Sequence, residues 1–192
     1  MAWDAHILLP AAIALVAGQR LMELRLSRRN EAWLRSRGAT EGGRHIYPFI
    51  ILFHTLFFIA LAFEGWWRGP VLSPAWGLWL GLFLTAQAVR VWTMRTLGPL
   101  WCTRLLVVPG MELATGGPYK YLRHPNYLVV AVELLSLPLM FGAYATALAA
   151  SAANALFLSL RMREEERLLR RLTAYDELFG ERPRLLPRRP AS

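Results

Sequence analysis

The chain of 192 residues is 55% hydrophobic, carries eight tryptophans and has a mean hydropathy of +0.31, a composition that fits lipid as solvent better than a soluble single domain. Its formal net charge of +9 comes from basic residues at the edges of apolar runs, without a basic face of interleaved aromatics, which sets nucleic acid aside as a partner. One cysteine, Cys102, excludes an intrachain disulfide and any cysteine-rich metal site.

Apolar runs at residues 3–21, 46–63 and 75–94 are each close to the roughly 20 residues that a helix needs to cross a hydrocarbon core. The first is not a secretory signal, because Asp4 precedes it and Arg20, Arg25, Arg28 and Arg29 follow, the reverse of a signal's polarity. A fourth run, residues 127–160, has 34 residues and is broken by Pro138 and by Phe141-Gly142-Ala143, which predicts a tight hairpin of two helices, the second short. From Arg161 a charged helix, RMREEERLLRRLTAYDELFG, carries Met162, Leu168, Leu169, Leu172 and Tyr175 at helical spacing, and order is expected to about Pro187.

The expectation is an all-α integral membrane bundle of five transmembrane helices, the last two a hairpin, with a cytoplasmic C-terminal helix. Residues 1–192 form one domain. Six arginines fall at residues 22–45, one at 65–74, four Lys or Arg at 95–125 and nine after residue 160. By the positive-inside rule this alternation predicts an N-terminus outside and a C-terminus in the cytoplasm.

No GxGxxG after a strand, P-loop, HExxH or nucleophile with a His-carboxylate pair occurs, so soluble dinucleotide-binding and hydrolase sites are excluded. His6, His45 and His54 read as packed or interfacial. His124 differs: in GPYKYLRHPNYL, residues 117–128, Pro125 suits the first helical position and His124 the N-cap. A plain helix start would need no more than these two. Arg123, Tyr119, Tyr121 and Tyr127 converge there as well, and free N–H groups beside an arginine and an imidazole make a seat for a carboxylate or phosphate. The acidic run REEER, residues 163–167, is either a solvated face with intrahelical pairs such as Glu166 to Arg170, or a source of a carboxylate for ribose hydroxyls. Within the spans, Arg90, Glu133 and Asn154 are polar at depth. Ionisable groups there face a partner or a cavity, or, for Arg90, snorkel to the interface.

GPYKYLRHPNYL, followed about 40 residues later by REEERLL and then by FGERPRLLP, resembles the isoprenylcysteine carboxyl methyltransferase family of integral membrane enzymes over residues 85–187. The resemblance implies S-adenosylmethionine as methyl donor in a cytoplasmic pocket, a lipophilic substrate from the bilayer, and a bacterial cell membrane as location. It places Gly117, Tyr119, His124, Pro125, Tyr127, Glu165 and Glu166 at the cofactor, with Glu164 as a one-residue alternative in register. Arg123 and Glu133 are the catalytic candidates, and no metal is expected. The middle of the chain is similar to bacterial members resembling alkylpyrone and alkylresorcinol O-methyltransferases, and TAYDELFGERPRLLP lacks the later paired tyrosines of the eukaryotic pattern. Arg123 or His124 would favour ionisation of a phenol or enol acceptor. Phospholipid N-methylation and non-catalytic lipid binding are the alternatives.

Overall fold

The computed structural model describes residues 2–69 and 71–185. Helix α1 runs from Ala2 to Ser36, strand β1 from Thr40 to Gly42, α2 from Tyr47 to Trp67 and α3 from Trp76 to Leu97. After a 3₁₀ turn at Gly98–Leu100 come β2, Leu105–Val107, a second 3₁₀ turn at Gly117–Lys120, α4 at Pro125–Met140, α5 at Tyr144–Leu172 and α6 at Tyr175–Phe179. The two strands pair antiparallel, Thr40 opposite Val107 and Gly42 opposite Leu105. The chain is otherwise helical, consistent with the all-α expectation, and this small sheet is an unpredicted addition to it. Three-residue strands are too short to show an alternating pattern, and pairing residue 40 with 107 is a tertiary event.

Local chemistry accounts for the main breaks. Pro48 sits in the first turn of α2 and Pro125 at the first position of α4, where an absent N–H leaves no helical bond unmade. Gly142, with φ +65°, ends α4 and turns the chain into α5 at the expected break. The first turn of α5 is capped from α2: Glu64 accepts from the Ala145 and Thr146 amides and from the Thr146 hydroxyl. Gly65 lets α1 approach α2, since a Cβ there would stand 2.3 Å from a Leu9 methyl. Leu9, Val16, Phe57, Leu61, Phe83 and Leu137 form the centre of the apolar core.

Among the described residues, three helices are long and apolar enough to cross a membrane, Ala5–Ser36, Tyr47–Trp67 and Tyr144–Leu172. Of the other two expected spans, α3 has 22 residues but carries Gln87, Arg90 and Arg95, and α4 is apolar but has 16. The expected short fifth helix and separate charged helix are instead one unbroken helix of 29 residues. The charged turns of Arg161 to Arg171 continue the same backbone, because charge alone does not interrupt helical hydrogen bonding. Likewise α1 extends 15 residues past the predicted end at Leu21. Ordering to Pro187 was expected, and residues 186 and 187 lie outside the described residues. Large apolar side chains such as Leu15, Trp66, Trp67 and Leu148 point outward, which suits a lipid-facing surface.

Arg90 does not snorkel. It is 2% exposed, and its Nε donates to Glu133 Oε1 at 3.0 Å, a second bond reaching Glu133 Oε2. Arg20 of α1 also reaches Glu133 Oε2, at 2.8 Å, and pairs with Glu23, which in turn contacts Arg90 at 3.3 Å. Gln87 donates to Glu133 Oε1 at 2.7 Å, and Gln19 joins Gln87 to Glu23. Two cations and two anions thus tie α1, α3 and α4 together with their charges balanced. Removing one member strands a buried charge. Glu133→Ala is expected to destabilise the fold by about 3 kcal/mol or more, and Arg90→Met with Glu133→Leu by less than either single change, as read by thermal unfolding in detergent.

Candidate functional site

Against the start of α4 lies a partly open cavity, about 920 Å³ when the solvent space at its mouth is included. The segment from Leu97 to Val107 forms one wall, Tyr119 to Tyr127 a second, and Arg161, Glu165 and Leu169 of α5 a third, while Tyr175 and Phe179 of α6 close an end. Met111, Leu113 and Ala114 complete it from the intervening loop.

His124 holds the N-cap of α4, with φ −130°, and its carbonyl accepts from the Tyr127 amide at 3.1 Å. Its imidazole makes no capping bond. Instead Nε2 lies 3.2 Å from Glu166 Oε1, and because a carboxylate only accepts, Nε2 carries the proton. The ring stacks on Tyr127 with centroids 5.2 Å apart. The Tyr127 hydroxyl donates to Glu165 Oε2 and accepts from Arg161 Nε at 2.9 Å. Arg161 also donates to the Thr103 carbonyl, at 2.5 Å, which fixes α5 to the segment before β2.

Glu166 is 1% exposed and faces away from the cavity. Arg184 binds it with two bonds, 2.8 and 2.6 Å, and Arg170 approaches at 3.4 Å. The same carboxylate therefore holds both the imidazole of His124 and the C-terminal tail. Arg123 completes the strap: its Nε and Nη2 donate to the Arg182 and Gly180 carbonyls, and the amides of Arg123 and His124 donate to the carbonyls of Pro183 and Arg184. The donors expected to seat an anion are thus occupied by the tail's backbone. Hydrogen bonding to Glu166, together with its charge, raises the Arg184 guanidinium above its ordinary pKa.

Burial, with the charge of Glu165 added, holds the Tyr119 phenol well above its ordinary pKa, so it stays a neutral donor. Burial and then Glu166 push Tyr175 up to about 12. Among the described residues, two atoms in the lining are buried without a hydrogen-bond partner, Asn126 Oδ1 and the Tyr175 hydroxyl. Buried polar groups are nearly always satisfied, so this pair is available to a water or to a polar ligand.

Of the residues singled out from the sequence, Tyr119, Arg123, His124, Tyr127 and Glu165 line this cavity. Pro125 is buried in the first turn beside it. Gly117, with φ +53°, packs on Thr96 and Trp92 of α3, where a Cβ would meet Thr96 Oγ1 at 2.2 Å. Glu164 pairs with Arg167 at 2.5 Å. Glu133 is not at the site, because the Arg90 network holds it inside the bundle. Arg161, Asn126, Arg104 and Tyr175 line the cavity without having been predicted. Arg161 and Glu165 are four apart and so share one face of α5, a spacing legible once that helix is read as continuous.

The model of the isoprenylcysteine carboxyl methyltransferase (ICMT) family matches residues 79–171, from α3 to the end of α5. The chain belongs to this family. The ICMT region contains both ends of the Tyr127–Glu165–Arg161 cluster. Similar proteins include YpbQ of Bacillus subtilis, 43% identical over 157 residues, which are 82% of this chain and 94% of YpbQ. An uncharacterized protein of Haemophilus influenzae is 26% identical over 80% of this chain and 90% of its own length. The nickel-cobalt-cadmium resistance protein NccN of Alcaligenes xylosoxydans is 32% identical over 57% of this chain and 53% of its own.

The strap gives a direct test. Glu166→Ala removes the anchor common to Arg184 and His124, and is expected to raise the rate of trypsin cleavage after Arg184 by at least tenfold, about 1.4 kcal/mol of lost protection, within the range for a charged hydrogen-bond partner. Mass spectrometry of the digest reads it.

Proposed function

We propose that the chain transfers a methyl group from S-adenosylmethionine to a hydroxyl or carboxyl oxygen of a lipophilic substrate, at the cytoplasmic face of a bacterial cell membrane. The observation that carries this reading is the cavity itself, where the Tyr127–Glu165–Arg161 cluster stands beside the unpartnered atoms of Asn126 and Tyr175. That donor set suits the donor molecule. Glu165 and Asn126 Oδ1 accept from hydroxyl or ammonium groups, Tyr119 and Tyr175 donate, and the rings of Tyr119 and Tyr127 offer faces to a cation. When bound, S-adenosylmethionine supplies an electrophilic methyl on a sulfonium centre.

The protein's part is binding, orientation and exclusion of water. Arg161 is the cation that orients an anionic acceptor oxygen, in place of Arg123, whose donors hold the tail. Arg104 and Arg123 also line the cavity but are engaged by Glu31 and Glu41 and by the tail, so Arg161 is the cation that stands ready for an oxyanion, which it favours over an ammonium-forming amine. This supports O-methylation over methylation of phospholipid amines. Long-chain alkylpyrones, alkylresorcinols and prenylated cysteine carboxylates share the required oxygen on an apolar body. The metal resistance in NccN's name finds no counterpart in a cluster of three His, Cys, Asp or Glu among the described residues.

In the full topology of this reading, α3 and α4 also cross the bilayer, so reporters placed after Gly142 and after Ser192 should lie on opposite sides. Titration of S-adenosylmethionine into detergent-solubilised protein should show binding that Tyr127→Phe and Glu165→Gln each weaken by about 1–3 kcal/mol. With a labelled methyl donor in the same membranes, label is expected in the oxygen acceptors. Label in phosphatidylethanolamine alone would overturn the choice of oxygen.

A further inference from the structure

The C-terminal half of α1 has one face locked to the protein and, among the described residues, one face without a partner. Glu23, Ser27, Asn30 and Leu34, three or four apart, are buried. Ser27 bonds Thr103, Asn30 donates to the Gly98 and Trp101 carbonyls, and Glu23 joins the Arg90 network, so this half of the helix is fixed in rotation as well as position. The opposite face presents Arg25, Arg28 and Arg29, all exposed, and among the described residues none of the three makes an ion pair or a side-chain hydrogen bond. They stand at i, i+3 and i+4, so their guanidinium groups share one patch. Leu21 and Met22 just before them, and Leu26 between Arg25 and Arg28, are exposed by 61%, 63% and 38%.

At about 1.5 Å per residue α1 is roughly 50 Å long, against a hydrocarbon core of roughly 30 Å, so it passes through the headgroup layer. The exposed leucines and methionine mark the depth at which the helix leaves the hydrocarbon, and the arginines follow within a turn or two, the depth of lipid phosphates. We propose that Arg25, Arg28 and Arg29 form a docking surface for anionic phospholipid headgroups. A lipid is favoured over a soluble polyanion because the apolar residues on the same face need acyl chains beside them, and charge complementarity requires the headgroup to be anionic. Trp101 and Thr103, which α1 holds through Asn30 and Ser27, adjoin the methyl-transfer cavity, so the bound headgroups stand level with it across the helix. The proposal does not rest on the methyl-transfer reading.

Native mass spectrometry of the full chain released from mixed phosphatidylglycerol and phosphatidylcholine micelles tests it. The unaltered protein should retain phosphatidylglycerol preferentially. The preference should fall roughly fivefold for each arginine replaced by glutamine, reach parity in R25Q/R28Q/R29Q, and persist in the corresponding triple lysine variant. It should also weaken with added salt. Equal retention of the two lipids by the unaltered protein, or an unchanged preference in the glutamine triple variant with an unchanged unfolding midpoint, would overturn the proposal. So would binding of a short RNA that depends on these arginines without any phosphatidylglycerol preference.

Discussion

A carboxylate with 1% exposure is tolerated only if cations and donors surround it, and at Glu166 that requirement organises the entire site. His124, Arg170 and Arg184 reach it from α4, α5 and the tail, and Arg123 stands 3.9 Å away. Three separated segments are therefore brought together by one anion. Because the imidazole is turned toward Glu166, its ring lies flat on Tyr127, and that stacking places the Tyr127 hydroxyl between Glu165 and Arg161. The adjacent glutamates of α5 are thus divided in task. Glu166 assembles the walls, and Glu165 is one of the groups that the walls enclose.

The same rule operates at the second buried ionic cluster with the opposite outcome. Around Arg90 and Glu133 the side chains that α1, α3 and α4 contribute to the network are matched to one another, and none of them has an unpartnered buried atom. A saturated network has no capacity left for a ligand. At the cavity Asn126 and Tyr175 remain unpartnered. Depth and charge are therefore poor guides to a site by themselves, and unmet hydrogen-bonding capacity beside open space is the better one.

Much of the site was legible because its chemistry is carried by consecutive residues. The proline of RHPNY fixes where α4 begins, with Tyr119 and His124 shortly before that start and Tyr127 just after it. What stayed hidden depends on partners distant in sequence. That Arg123 is a clamp follows from carbonyls near residues 180 and 182, and that Glu133 is structural follows from Arg20, 113 residues away. Neither can be read from the side chain alone. The continuity of α5 is hidden for a different reason: a change from apolar to charged residues suggests a change of element, although the backbone has no cause to break there. The β1–β2 pairing, three residues a side, falls below any periodic signal.

The Arg90 network also bears on what lipid would meet. Hydropathy taken residue by residue charges α3 for Gln87 and Arg90, yet both groups are neutralised or hydrogen-bonded by α1 and α4 before any lipid is considered. The outward surface of α3 includes Trp76, Leu78, Leu82, Leu84, Val91 and Trp92, all exposed and apolar, with the charged Arg95 exposed only in the last turn. A helix whose polar atoms are satisfied by neighbours presents only its remaining face to the bilayer, so the desolvation penalty belongs to the assembled bundle rather than to the segment. By that argument α1 is more than an anchor N-terminal to the family region. It supplies Arg20 and Glu23, without which the buried Arg90 and Glu133 would have only each other and Gln87 as partners.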